Sequence, residues 1–208
     1  MTSQDSDHHI FVANNSGLLE YNGANWTLHI SPNESIIRAV KVIEELVYTG
    51  CYMEFGYWVK DESGILTYKS LIEKLNVPLI KDEHFWNILE IDNWVLFQSL
   101  DRIYLYNPDD ESFNIISSKS TRASIFEVDN SVYFQKINEG LFKIKNGKSI
   151  LISEDPILKQ SVLVGAFSIN EKTLLLRSEE HTLNSSHKPI SYAVFCLKKK
   201  STRLNSRT

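Results

Sequence analysis

The chain has 208 residues, of which 42% are hydrophobic, 23% charged and 11% aromatic, an ordinary globular composition that excludes fibrous, disordered and disulfide-scaffold classes. Its net charge is -4 and no Lys/Arg cluster precedes the last few residues, which excludes the electrostatic footprint of a nucleic-acid binder. No stretch approaches the roughly 18 consecutive apolar residues of a membrane span, and the opening nine residues lack the basic and apolar regions of a signal peptide.

Short runs of alternating apolar residues, bounded by Asn, Asp, Gly and Ser, predict strands over Ile10–Ala13, Leu18–Tyr21, Ile36–Val42, Leu46–Gly50 and Trp94–Gln98. Further strands are predicted over Ile103–Tyr106, Ser124–Val128, Val132–Gln135, Leu141–Ile144 and Thr173–Leu176. Only Ser70–Leu75 suggests a helical turn, and no longer window holds helical spacing. Turn chemistry separates the strands at Asn22-Gly23, Asn107-Pro108-Asp109-Asp110, Asp129-Asn130 and Asn146-Gly147. Gly17 and Gly140 each stand where a strand needs positive φ or close backbone approach.

An internal repeat organises these strands. The run from Asp92 and Asn93 to Phe97 and Gln98 matches that from Asp129 and Asn130 to Phe134 and Gln135 at a spacing of 37 residues. Related runs lie 48 residues earlier, at Glu44-Glu45-Leu46, and 42 later, at Glu171-Lys172-Thr173. Unequal steps with several strands each predict an all-β fold, an incomplete β-propeller of about four blades, over a β-sandwich.

The opening residues carry a resemblance. Gln4 and Asp5, then Gly17, Leu18, Tyr21 and Gly23, match the start and close of the two-component-regulator propeller repeat, Q-D-x-x-G-x-x-W-x-x-T-x-x-G-L-x-x-Y-D-G. His8, Phe11 and Asn14 replace its Gly, Trp and Thr. Tyr48 to Trp58 and Gly64 to Leu71 resemble the second blade of the sensor propeller in Bacteroidetes-type triple tyrosine motif regulators. In that family the propeller precedes a β-sandwich, a transmembrane helix and a LuxR-type helix-turn-helix. The resemblance covers residues 1–176 and implies the first half of a periplasmic sensor domain of an inner-membrane transcriptional regulator. It implies a glycan or peptide ligand, a homodimeric full-length protein, no nucleic acid for this chain and no enzymatic activity.

Residues 177–208 read differently. Seven of the 22 Lys/Arg and only two of the 26 Asp/Glu fall there, which leaves 15 against 24 in residues 1–176. The run Arg177-Ser-Glu-Glu-His-Thr182 and its continuation to Leu197 resemble the translation of a short-read sequencing adapter followed by poly-A. The expectation is no native domain over 177–208, and Cys196, His181 and His187 carry no function with it.

Candidate chemistry is sparse. Trp26, Trp58, Trp86 and Trp94 are expected to fill gaps between blades, since aromatics bury large areas against a facing sheet. Glu54 beside Phe55, Tyr57 and Trp58 is the one carboxylate among aromatics, and these four are the candidate ligand-binding residues. His8 and His9 with Asp5 and Asp7 have metal-ligand chemistry, but a polar turn gives a solvated reading instead. His29 and His84 are isolated, and the carboxylates at Glu44-Glu45 and Asp109-Asp110-Glu111 sit in polar turns. With no phosphate loop, nucleophile elbow, zinc spacing or Asp-box, no catalytic residue, metal site or cofactor is expected. A propeller polysaccharide lyase or hydrolase, and a protein-interaction propeller, are the rival functions.

Overall fold

A computed structural model describes residues 1–117, 125–170, 173–179 and 192–198. Met1–Ser117 form one compact unit, and the described residues from Ile125 onward belong to a second.

The first unit holds three four-stranded antiparallel sheets, each a meander whose strands pair in chain order. They are β1 (Thr2–Gln4), β2 (Ile10–Asn14), β3 (Gly17–Tyr21) and β4 (Trp26–Ile30); β5 (Ala39–Ile43), β6 (Leu46–Gly50), β7 (Phe55–Lys60) and β8 (Leu66–Ser70); and β9 (Asn87–Ile91), β10 (Trp94–Gln98), β11 (Arg102–Asn107) and β12 (Ser112–Ser117). A single 3-10 turn, Ile72–Lys74, falls within the predicted helical turn. The second unit holds β13 (Ile125–Val128), β14 (Ser131–Lys136), β15 (Gly140–Lys145) and β16 (Lys148–Ser153), then β17 (Val162–Asn170), β18 (Thr173–Glu179) and β19 (Tyr192–Lys198) as a three-stranded sheet. Between these two sheets lies the five-residue helix α1 (Pro156–Gln160), which the sequence patterns missed; Asp155 caps it by accepting from the Ile157 amide at 2.9 Å.

The way successive sheets meet fixes the architecture. Within the first unit β5 touches β1 on one side and β9 on the other, and within the second β13 touches β17, so the opening strands of neighbouring sheets adjoin. The second strands β6, β10 and β14 are among the most buried, whereas β4 and β16 are largely exposed. First strands innermost and fourth strands outermost is the order of propeller blades, and the fold class is the all-β, incomplete propeller expected. Each interior lies between blade faces. Phe11 and Leu18 meet Val40, Val47 and Trp58 between the first and second blades. Tyr48 and Phe55 meet Phe97, Tyr104 and Phe85 between the second and third. In the second unit Tyr133 and Leu141 meet Leu163, Leu174 and Leu176.

The repeat is realised in local geometry. Asp92-Asn93 and Asp129-Asn130 occupy the hairpin between the first and second strands of their blades, with φ of 49° and 61°, and 48° and 52°. Both central residues left-handed is the turn that matches strand twist, and Asn and Asp tolerate it best after Gly. Gly17 and Gly140, φ 145° and 130°, open the third strand of their blades, and a Cβ there would come 2.2 Å from the His29 or Ser153 carbonyl oxygen.

Two tryptophans depart from expectation. Trp58 is buried between blades, its Nε1 donating to Thr49 Oγ1 at 2.9 Å. Trp26, 57% exposed, lies instead on the outermost strand β4 and stacks on Tyr21 with ring centres 4.8 Å apart. Trp86 precedes β9 at a strand end and is 42% exposed. Of residues 177–208, three extend β18 and seven form β19, which pairs Leu197 with Leu174 and Phe195 with Leu176. Ser178 Oγ is wholly buried without a hydrogen-bond partner. The rest of that segment, with His181 and His187, lies outside the described residues.

Candidate functional site

Strand alternation separates the four residues singled out by sequence. Phe55 is fully buried in the core between the second and third blades, and half-buried Tyr57 packs against the same core. Trp58, the next residue along β7, points to the opposite face and the first blade. Glu54 precedes the strand, and its Oε1 accepts from Tyr68 Oη at 3.1 Å and Ser70 Oγ at 2.8 Å. Burial raises the Glu54 pKa, against the lowering effect of those hydrogen bonds. The four therefore do not share one exposed surface.

The exposed aromatic of this stretch is Tyr52, two residues before Glu54. It belongs to the turn between β6 and β7, closed by the Cys51 amide donating to the Glu54 carbonyl at 2.9 Å. Cys51 Sγ donates to the same carbonyl, and burial pushes its thiol up to about 11. The segment leading into β9 lies along this turn. Met53 N donates to Glu83 O at 2.8 Å, Phe85 N donates to Cys51 O at 3.2 Å, and Tyr52 bridges His84. The Trp86 amide donates to Gln98 O at 2.8 Å, and the Arg38 amide to Gly50 O at 2.9 Å just before β5. Gly50 makes this approach feasible, because a Cβ there would stand 2.6 Å from Phe85 Cβ.

Three separated segments thus place Arg38, Tyr52, His84 and Trp86 together at one end of the second and third blades. The Arg38 guanidinium carbon lies 4.4 Å from the centre of the Trp86 ring, and its Nε donates to His84 Nδ1 at 3.3 Å. The Tyr52 and His84 rings are 4.9 Å apart and the His84 and Trp86 rings 5.9 Å apart. Tyr52 Oη donates to Asp82 Oδ1 at 2.7 Å. Desolvation and then the Arg38 charge lower the His84 pKa, which keeps Nδ1 free to accept. His84 is therefore not isolated. No periodic signal marked this platform, since its residues come from turns and strand ends up to 48 positions apart.

Beneath it a buried carboxylate fixes the segment. Glu83, 4% exposed, accepts from the Ile80 amide at 2.9 Å, Tyr104 Oη at 2.7 Å and Ser99 Oγ. Burial, then the bond to Glu83, raises the Tyr104 pKa, while Arg102 opposes.

At the opposite end of the first two blades Asp5, His9, Glu20, His29 and Lys60 form a second polar cluster. His29 Nε2 pairs with Glu20 Oε2 at 2.9 Å, His9 Nδ1 lies 3.3 Å from Asp5 Oδ2, and Lys60 Nζ lies 2.8 Å from His9 Nδ1. His9 and His29 are thus partnered rather than solvated or isolated. Asp5, Lys60 and Phe11 edge a cavity of about 120 Å³ there. Among the described residues no group of three or more His, Cys, Asp or Glu side chains is arranged to hold a metal ion. No helix among them is long and apolar enough to cross a membrane.

No family model matches the chain, nor does any curated protein. Solved structures do. The extracellular domain of the one- or two-component system BT4673 from B. thetaiotaomicron aligns with 86% of this chain at 18% identity and TM-score 0.59. YCF48 from Cyanidioschyzon merolae aligns with 86% at 11% identity and TM-score 0.57, and the RRP9 WD40 repeats with 86% at 8% and 0.54. The fold is a propeller's. The chain spans only 25%, 65% and 58% of those three chains, so it matches part of each.

Proposed function

We propose that this chain is part of a ligand-sensing, extracytoplasmic propeller of a membrane-anchored transcriptional regulator, acting by binding rather than catalysis, and that the Arg38–Trp86 end of the blades is its ligand face. The observation that carries this reading is the platform itself: exposed aromatic surface and a guanidinium, held by backbone hydrogen bonds from three segments. Such rigid placement of large aromatic surface suits recognition, because little conformational freedom is lost on binding. Likeness to an extracellular domain of a bacterial signalling system supports the extracytoplasmic setting and agrees with the resemblance carried by Gln4, Asp5, Gly17 and Tyr21.

In this reading a glycan or peptide binds the propeller, and its unequal affinity for two arrangements of a homodimer shifts their populations. Glu54 shapes the turn that presents Tyr52, while Phe55, Tyr57 and Trp58 support it through the blade cores. The test is a thermal-shift screen of the complete gene product's ectodomain against glycan and peptide panels, since a ligand specific to the folded state raises the melting temperature. A shift lost in Trp86→Ala is the expected result. Turnover of a polysaccharide by that ectodomain favours the lyase or hydrolase reading, and a constitutive protein complex with no small ligand favours the interaction propeller.

A further inference from the structure

Among the described residues Arg38 is a positioned cation with no ion-pair partner. No carboxylate among them lies within ion-pair distance of it; Lys60, Lys74 and Lys136 all have one. Asp82, the acid of the platform, accepts from the Tyr52 hydroxyl through Oδ1, and its charge is felt by His84 rather than paired with Arg38. Meanwhile Arg38 is held at three points: its main-chain amide donates to Gly50 O, its Nε donates to His84 Nδ1, and one face of its guanidinium lies on the Trp86 ring. What remains is the fork of its two Nη groups, on a platform that also carries the exposed rings of Trp86 and Tyr52, 42% and 37% accessible.

A planar fork of parallel N–H donors matches the two oxygens of a carboxylate, and a charge-assisted pair of this kind is stronger than a neutral one. We propose that Arg38 is the receptor for a carboxylate carried on a ring, with the ring lying against the exposed Trp86 and Tyr52 surfaces. The inference rests on the ligand-face reading above and names the ligand's chemistry. Uronic acid sugars and aromatic acids share that chemistry, and the test separates them.

The probes are sodium glucuronate, sodium benzoate and neutral glucose, titrated into the ¹⁵N-labelled chain while the Trp86 indole N–H and Arg38 Nε–H signals are followed. Trp86→Phe and Arg38→Gln assign the two signals. One or both acids are expected to shift both signals saturably, with glucose at least roughly tenfold weaker; a shift by glucuronate alone assigns the sugar acid, and by benzoate alone the aromatic acid. Arg38→Gln is expected to weaken the acids at least roughly tenfold, with Arg38→Lys close behind because it keeps the charge and loses the fork. Unmoved Trp26, Trp58 and Trp94 indole signals in each variant show that the fold is kept. An acid that binds Arg38→Gln as well as it binds the parent chain overturns the proposal. If glucose or a hit from the panels shifts Trp86 and neither acid does, the carboxylate inference fails and the ligand-face reading stands. If nothing moves Trp86, both fall.

Discussion

Tyr104→Phe tests whether the buried Glu83 clasp holds the segment that carries His84 and Trp86. The substitution keeps the ring in its core, where it packs 5.4 Å from Phe55 and 5.5 Å from Phe85, and removes only the hydroxyl. Glu83 then loses a 2.7 Å bond and keeps the Ile80 amide and Ser99, while Arg102 Nη1 loses its 3.2 Å bond to the Tyr104 hydroxyl and keeps its 3.0 Å bond to the Pro78 carbonyl. A hydrogen bond to a buried carboxylate contributes about 1.5–3 kcal/mol, so the variant should lose about 2 kcal/mol. At roughly 2–4 °C per kcal/mol for a chain of this size, the melting temperature should fall by about 4–8 °C. Tryptophan fluorescence during denaturant unfolding measures this directly, because all four tryptophans lie within residues 1–117. Tyr48→Phe is the matched control: its ring is equally buried, but among the described residues no carboxylate accepts from its hydroxyl, and its loss should stay under about 0.5 kcal/mol. Equal stabilities for the two variants would refute the clasp.

Gly50→Ala should destabilise by about 1–3 kcal/mol and shift the Trp86 indole signal, because the new methyl meets Phe85 Cβ at the root of its side chain; an unchanged spectrum contradicts the close approach. For Glu54, whose pKa is raised chiefly by burial, the folded state holds the proton more tightly than the unfolded one. Its contribution is present at low pH and lost as pH rises through the raised value, so Glu54→Gln should gain stability relative to the parent as pH rises from about 4 through that value; a constant difference across the rise would argue against it. Gln135 donates to the Leu158 and Ser161 carbonyls and accepts from the Leu163 amide at 2.8 Å, so Gln135→Ala should speed exchange of that amide by roughly tenfold or more. Deleting residues 177–208 should leave solubility and the tryptophan signals of residues 1–117 no worse, and a marked loss of folded protein would establish that segment as a needed element.

The strands that sequence pattern alone marked without error are Leu46–Gly50 and Trp94–Gln98, second strands of their blades and among the most buried. A strand enclosed between two blades needs apolar residues throughout, which makes a compact, bounded run. The hairpins at Asp92-Asn93 and Asp129-Asn130 were legible for a different reason: left-handed backbone restricts the residue choice, so the constraint is written in the two residues themselves. Outer strands such as Lys148–Ser153 and Trp26–Ile30 escaped because exposure relaxes the pattern. The candidate site shows the other limit. Neighbours in sequence, Phe55, Tyr57 and Trp58, looked like one aromatic patch, yet the pleat of β7 sends Trp58 to the opposite core. Arg38, Tyr52, His84 and Trp86, distant in sequence, met only because the chain leaves and re-enters each blade at the same end. Local pattern determines which residues a strand buries and where it turns, whereas the packing of blade on blade decides which strand ends share a surface.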